Sequence, residues 1–525
     1  MHELLKNKHT GVLIPLFSMS SQSDFGCGDT SSLSEWADFA KEMGFDIIQI
    51  LPINEMPPGT NCPYTSLTAF AIDPIYVSIK DIENLKPELR EKIKSKEFKE
   101  KIKNIKKKDY IDYDEIKKIK FEILWEQYNY FQKSFSPSSN EKIAFEEYKT
   151  KNDWWLDNYA VFRRLKDINN WKSWTEWEEG FKNPQSETIA RFKNEDGFNI
   201  DFFKYIQWEL DKQFLKVKSK LVSNGIKLLG DLPFMVNQES SDVWSRQYDF
   251  RLDLESGAPP DAFSEDGQKW GIPAPNWDSQ LSNEFEWWRL KIKKFEELYD
   301  IFRIDHMVGF FRTWVIPKDK NIKPHFDILD PHRQEERGRR FLKTIKHSTR
   351  MLAIAEDLGV IPDYVRKVLK ELDICGYKIM RWEKEKDETY TDPKNYYPIS
   401  IATTSTHDTE PMKTWWKIID KEERRKFIEM IYEMEIKKIP SGYSEIKRDV
   451  NLKLLNSSSV IAVMSLQDIT GTEERINLPG TTGNHNWSWR IKTNWDKYFK
   501  KHLSDFEPLK KEIKRRNNEK NDKID

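Results

Sequence analysis

Eight short apolar or β-branched runs punctuate the chain, at residues 11–18, 45–53, 226–234, 301–306, 351–357, 374–382, 400–407 and 460–466, and each closes in polar, Gly or Pro residues. Runs of this length and character fit parallel strands buried on both faces. Segments long enough for crossover helices lie between them, such as 32–43, 287–299 and 362–372, so the order reads as repeated βα units. Eight is the number that closes a (β/α)8, or TIM, barrel, and the expected fold class is an α/β TIM barrel with large helical insertions between its strands. The gap between the second and third runs is far too long for one crossover. We therefore expect the barrel at 1–84 and 226–500, a mainly helical inserted subdomain at 85–225, and a charged tail at 505–525 that frays or stays disordered.

Composition narrows the partner. Lys plus Arg number 86 against 87 Asp plus Glu, a formal charge of −1 that offers no field to a nucleic acid or a membrane surface. Mean hydropathy is low at −0.77, yet 13% of residues are aromatic, which disordered chains lack. The Lys-rich stretch from Lys101 to Lys120 interleaves acids and reads as a solvated helix face. Cys27, Cys62 and Cys375 are odd in number and widely spaced, so they read as reduced thiols. With no apolar segment after Met1 and no run of membrane-spanning length, a cytoplasmic protein is expected.

Barrel enzymes carry their chemistry at the C-terminal ends of the strands, and here those ends are acidic. The third run ends in Asp231, the fourth in Arg303-Ile304-Asp305-His306, the fifth in Ala355-Glu356-Asp357 and the seventh in Thr406-His407-Asp408. One such acid could cap a helix, but a group meeting at one barrel mouth would repel and desolvate itself at a cost unless its charges were used. Strand alternation puts Arg303 and Asp305 on one face, where the guanidinium keeps the carboxylate ionised, as a nucleophile requires. Retaining glycoside chemistry needs that nucleophile and a second carboxyl group of raised pKa about 5 Å away, which neighbouring strands can supply. Asp305 is accordingly assigned as nucleophile, Glu356 as acid/base and Asp408 as the group that grips hydroxyls of the distorted sugar. His306 and His407 are neutral hydrogen-bonding candidates beside the ring. A metal site is the competing use of such pairs, and without a third nearby His we expect neither metal nor cofactor. Tyr64 and Trp270, in turn-rich stretches past the strands, are candidate platforms for the apolar face of a sugar, whereas Trp154, Trp155, Trp171, Trp174 and Trp177 read as packing residues.

These strings resemble the amylomaltase, or disproportionating enzyme, family of 4-α-glucanotransferases from Gly11 to about Arg490. The matching pieces are Gly230-Asp231-Leu232-Pro233-Phe234, Ser241-Asp242-Val243-Trp244, Gly257-Ala258-Pro259-Pro260-Asp261, Gly267-Gln268-Lys269-Trp270-Gly271, the three acidic strand ends, and Asn477-Leu478-Pro479-Gly480-Thr481 followed by Asn486-Trp487 and Trp489-Arg490. The resemblance implies transfer of α-1,4-glucan segments from a donor to a glucose or maltooligosaccharide acceptor. It gives Asp305, Glu356 and Asp408 the roles already assigned, makes Gln268 and Trp270 part of a loop over the acceptor side, and has Tyr64 stack on sugar. Arg303, His306, His407, Asp231 and Asn486 join the substrate-binding candidates. An α-amylase-like hydrolase shares the same chemistry and is the alternative. Two departures stand out: Met307-Val308-Gly309-Phe310 replaces Phe-Arg-Gly-Phe after His306, and Pro324-His325-Phe326-Asp327 with Arg333 to Arg340 stands where the family carries Gly-Pro-Gly.

Overall fold

The computed structural model describes residues 1–260 and 266–521. Asp261, the last residue of the Gly257–Asp261 string, and the tail residues 522–525 lie outside the described residues. The strands in chain order are β1 His9–Leu13, β2 Ile47–Gln49, β3 Lys227–Leu232, β4 Phe250–Ala258, β5 Gln268–Pro275, β6 Ile301–Ile304, β7 Trp314–Pro317, β8 His325–Phe326, β9 Leu352–Ala355, β10 Cys375–Ile379, β11 Ser400–Thr403 and β12 Ile461–Ser465. Eight of them, β1, β2, β3, β6, β9, β10, β11 and β12, close into a parallel barrel in that order. Each falls on one of the eight apolar runs, so the TIM-barrel expectation holds. Their residues are buried almost throughout, which is why they read as continuous apolar runs rather than alternating ones.

Local chemistry explains the crossovers. The Asp29 carboxylate accepts from the Ser32 N–H to start the helix Thr30–Met43, and Gly44 in the left-handed region ends it. Leu33, Trp36, Ala37, Ala40 and Met43 form the buried stripe of that helix. On β3, Gly230 leaves room for the Tyr299 ring, which a Cβ would meet at 2.5 Å.

The long gap after β2 holds the helices Pro87–Lys94, Lys96–Lys106, Tyr113–Ser134, Asn140–Ile168 and Gly197–Ser223, with shorter turns between. The last of these packs on Thr30–Met43 and feeds into β3, and so serves as the barrel's own crossover. The lysines here are not all solvated as the sequence suggested. Lys120 is buried and donates to the carbonyls of Ile75 at 2.5 Å and Val77 at 2.7 Å, and Lys117 donates to the Met56 carbonyl at 2.8 Å and pairs with Asp73 at 2.7 Å. A buried ammonium is tolerated there because carbonyls and a carboxylate take its protons. Trp155, Trp174 and Trp177 are core, and Trp154, though 38% exposed, packs its ring edge-on against Phe70 and Trp155, so it is a packing residue at the surface.

A second sheet, absent from the sequence reading, runs β5-β4-β7-β8 with antiparallel pairing beside the barrel mouth. The chain end is also different from expectation. The helix Leu503–Asn517 buries Phe506, Leu509 and Ile513 against the barrel, and buried Arg516 donates to the carbonyls of Leu455 and Ser457, both at 2.9 Å, and of Ser459. Over the described residues of that tail the frayed-tail expectation fails, because apolar residues recur at helical spacing between the charges. No helix among the described residues is long and apolar enough to cross a membrane.

Candidate active site

One cleft of about 1750 Å³ opens at the C-terminal ends of the barrel strands, larger than a pocket for one small molecule and suited to a polymer. Asp305, Glu356 and Asp408 all line it, together with Arg303, His306, His407, Tyr64, Gln268, Trp270 and Asn486. Three carboxylates from three separate βα loops thus share one opening.

Arg303 organises the inner end. Its Nη1 lies 2.8 Å from Asp305 Oδ1 and donates to both oxygens of Asp231 at 2.8 Å, and its Nη2 stands 3.9 Å from Glu356 Oε2. The guanidinium is buried, with its charge spent on these three acids. Asp231 is not on the cleft wall. It is fully buried inside β3, in register with Arg303 of β6, and meets the cleft through Arg303 and Tyr64. The expectation that it touches substrate is therefore corrected to one of support.

Glu356 accepts from the His306 N–H at 2.8 Å and the Leu358 N–H at 3.2 Å. His306 sits in the left-handed region at φ 46°, which aims that N–H at the carboxylate. Burial pushes the Glu356 carboxyl up to about 8; Arg303 and the two N–H donors oppose this and the Asp305 charge adds to it. Burial also pushes the His306 imidazole down to about 4, Asp305 pulling it up and Arg303 down, so the ring is neutral near pH 7.

Asp408 behaves oppositely. Its Oδ1 accepts from the Asn477 amide at 2.7 Å and its Oδ2 lies 3.2 Å from His407 Nε2. Burial works against its charge, but His407, Asn477 and Arg303 outweigh it and hold the carboxyl at about 2. Tyr64 sends its proton to Asp231 at 2.6 Å, so its oxygen accepts from His407 Nε2 at 3.0 Å, which places a proton on that nitrogen. The Tyr64 and His407 rings stack with centroids 5.7 Å apart.

The second sheet supplies the roof. Trp270 on β5 meets the His306 ring edge-on at 4.7 Å, and its indole N–H donates to Gln268 at 3.1 Å. Asn486 lines the cleft, but its amide is consumed by its own loop, accepting from Leu478 N at 2.8 Å and donating to Thr481 at 2.9 Å. It shapes the lip rather than offering a free hydrogen bond.

The two departures from the family pattern also have structural places. Met307 and Phe310 are buried, Phe310 stacking on Phe341 at 3.9 Å, and Gly309 is tight enough that a Cβ would meet His306 and Phe234 at 2.7 Å. Arg337, from the Arg-rich stretch, donates to the carbonyls of Phe310 and Phe311 and pairs with Asp327, pinning this turn from behind. Asn477, Arg475 and Tyr377 also line the cleft; in the sequence Asn477 stands in a motif that assigns it no role, and nothing there marks the other two beyond the place of Tyr377 on β10.

The family model described as 4-alpha-glucanotransferase matches residues 14–495. The 4-alpha-glucanotransferase of Chlamydia caviae is 31% identical over 504 residues, covering 92% of this chain and 91% of its own. That of Clostridium butyricum is 33% identical over 476 residues, covering 88% and 92%. The solved amylomaltase from Streptococcus agalactiae in complex with acarbose covers 98% of this chain and 99% of its own at a TM-score of 0.81 and 24% identity, a likeness of fold. The chain belongs to the 4-alpha-glucanotransferase family.

Proposed function

We propose that the chain moves stretches of α-1,4-glucan from a donor to glucose or a maltooligosaccharide by two displacements at one anomeric carbon. In the first, an Asp305 oxygen bonds to the anomeric carbon while protonated Glu356 gives its proton to the glycosidic oxygen, and the shortened chain leaves. In the second, Glu356, now ionised, takes the proton of an acceptor hydroxyl whose oxygen displaces Asp305. Net configuration is retained and no proton is gained or lost. Asp408, ionised throughout, accepts hydrogen bonds from sugar hydroxyls that strengthen as the ring gains positive charge. Tyr64 offers a flat face to the sugar, and Trp270 and Gln268 flank the acceptor. We place this chemistry in the cytoplasm, in keeping with the unpaired Cys27, Cys62 and Cys375.

The observation that carries this reading is one guanidinium shared by two carboxyl groups in one cleft, Arg303 standing 2.8 Å from Asp305 and 3.9 Å from Glu356, with burial raising the Glu356 carboxyl so that it can act as the acid. Neither metal nor cofactor enters the scheme. Incubation with maltotriose tests it. A ladder of longer maltodextrins together with glucose is the expected product, and its loss in Asp305→Asn with glucan affinity kept would follow. Simple shortening of maltotriose with rising reducing ends would show water, not sugar, to be the acceptor.

A further inference from the structure

Asp408 sits on the loop after β11 with its side chain 41% exposed. Nothing in the strand itself fixes that carboxylate, and a loop side chain left to itself samples positions well beyond hydrogen-bond tolerance. Yet its partner Asn477 comes from another loop, the one after β12, so the two loops must be held in register with each other.

We propose that Arg475, at the edge of the cleft, is the positioning residue that holds them so, acting through Asp408 and Asn477. Its Nη2 donates to the Asp408 carbonyl at 2.5 Å and its Nε to the Asn477 carbonyl at 2.5 Å. Two backbone carbonyls from two loops therefore rest on one flat guanidinium, and the side chains of the same two residues meet at 2.7 Å. The Asn477 N–H closes the arrangement by donating to the His407 carbonyl at 3.1 Å. The far edge of the guanidinium is also held: Glu410 lies 3.5 Å from Nη1 and takes Arg381 at 3.1 Å, and Arg381 returns a bond to the Glu410 carbonyl at 2.9 Å. Arg381 is 3% exposed, so the chain of contacts starts from a fixed point in the protein and ends at the cleft. A planar fork with donors at fixed angles can serve both carbonyls together, which a single ammonium cannot.

This inference rests on the stabilising role proposed for Asp408, and a double-mutant cycle separates the two. The full-length enzyme is assayed with maltotriose as parent, Arg475→Ala, Arg475→Lys, Asp408→Asn and the Arg475→Ala, Asp408→Asn pair. A misplaced group near the reacting atoms costs about a hundredfold, so Arg475→Ala should lower kcat by roughly that factor with KM moved by less than about threefold. Arg475→Lys should also fall, methylguanidinium should restore part of the Arg475→Ala rate, and thermal melting should stay close to that of the parent. In the Asp408→Asn background Arg475→Ala should cost no more than about twofold, since the group it serves is already gone. Equal losses in both backgrounds, or a kcat for Arg475→Ala within about twofold of the parent, would overturn the inference with the Asp408 role intact. Full activity in Asp408→Asn would instead remove that role, and this inference with it. Should Arg475→Ala fail to fold, Arg475→Lys and Glu410→Gln carry the same cycle.

Discussion

Glu356 has to be protonated when the donor bond breaks and ionised when the acceptor attacks. With its carboxyl pushed up to about 8 by burial, the protonated form required for the first step prevails below that pH and is lost above it. Turnover of maltotriose, followed as kcat/KM, should therefore fall on a limb near pH 8. Glu356→Gln given an activated donor such as a glycosyl fluoride should lack that limb, because its leaving group needs no proton. A limb that persists unchanged in Glu356→Gln would move the titration to another residue. The acids at the strand ends were legible in the sequence, since a carboxylate closing an apolar run is chemically conspicuous, and strand alternation paired Arg303 with Asp305, which stand 2.8 Å apart. Asp231 shows the limit of that reasoning: it lies inside β3, in register with Arg303, rather than one residue past the strand as Asp305 and Glu356 do, and a shift of that size separates a wall residue from one behind the wall. Asn477 and Arg475 escaped because they act on Asp408 from a loop 69 and 67 positions away.

At the scale of elements, the short buried strands were readable because both faces are apolar, and their ends shifted by a few residues where the apolar run continues past the last ladder bond. The strands β4 and β5 were not readable. They carry Gly257, Gly271, Pro273 and Pro275, mix buried, half-buried and exposed residues without alternating buried with exposed ones, and pair across register shifts, so neither period nor composition marks them. That sheet carries Trp270 over His306, and Trp270→Ala should admit water and raise the share of free reducing ends released from maltotriose relative to longer maltodextrins. An unaltered product ratio would remove Trp270 from the roof. The C-terminal helix makes a separate expectation about stability. Arg516→Met leaves three buried carbonyls without their donor, a loss on the order of 3 kcal/mol in urea unfolding, with activity per folded molecule unchanged.

For the molecule as a whole, closure of the barrel explains why residues as far apart in the chain as Tyr64 and His407 are hydrogen-bonded: β1 pairs with both β2 and β12, so the two ends of the chain flank one mouth. The helices between β2 and β3 support one side of that mouth, with Lys117 and Lys120 tying them to the carbonyls of residues 56, 75 and 77. All of this serves one claim, that a sugar is held covalently on Asp305 between two displacements. The most direct measurement is mass spectrometry of Glu356→Gln after reaction with an α-maltosyl fluoride, whose fluoride leaves unaided while the slow second step lets the intermediate collect. The peptide containing Asp305 should carry the added maltosyl mass. The same mass on a different peptide, or turnover of the fluoride with no sugar on any peptide at any time, would contradict the account.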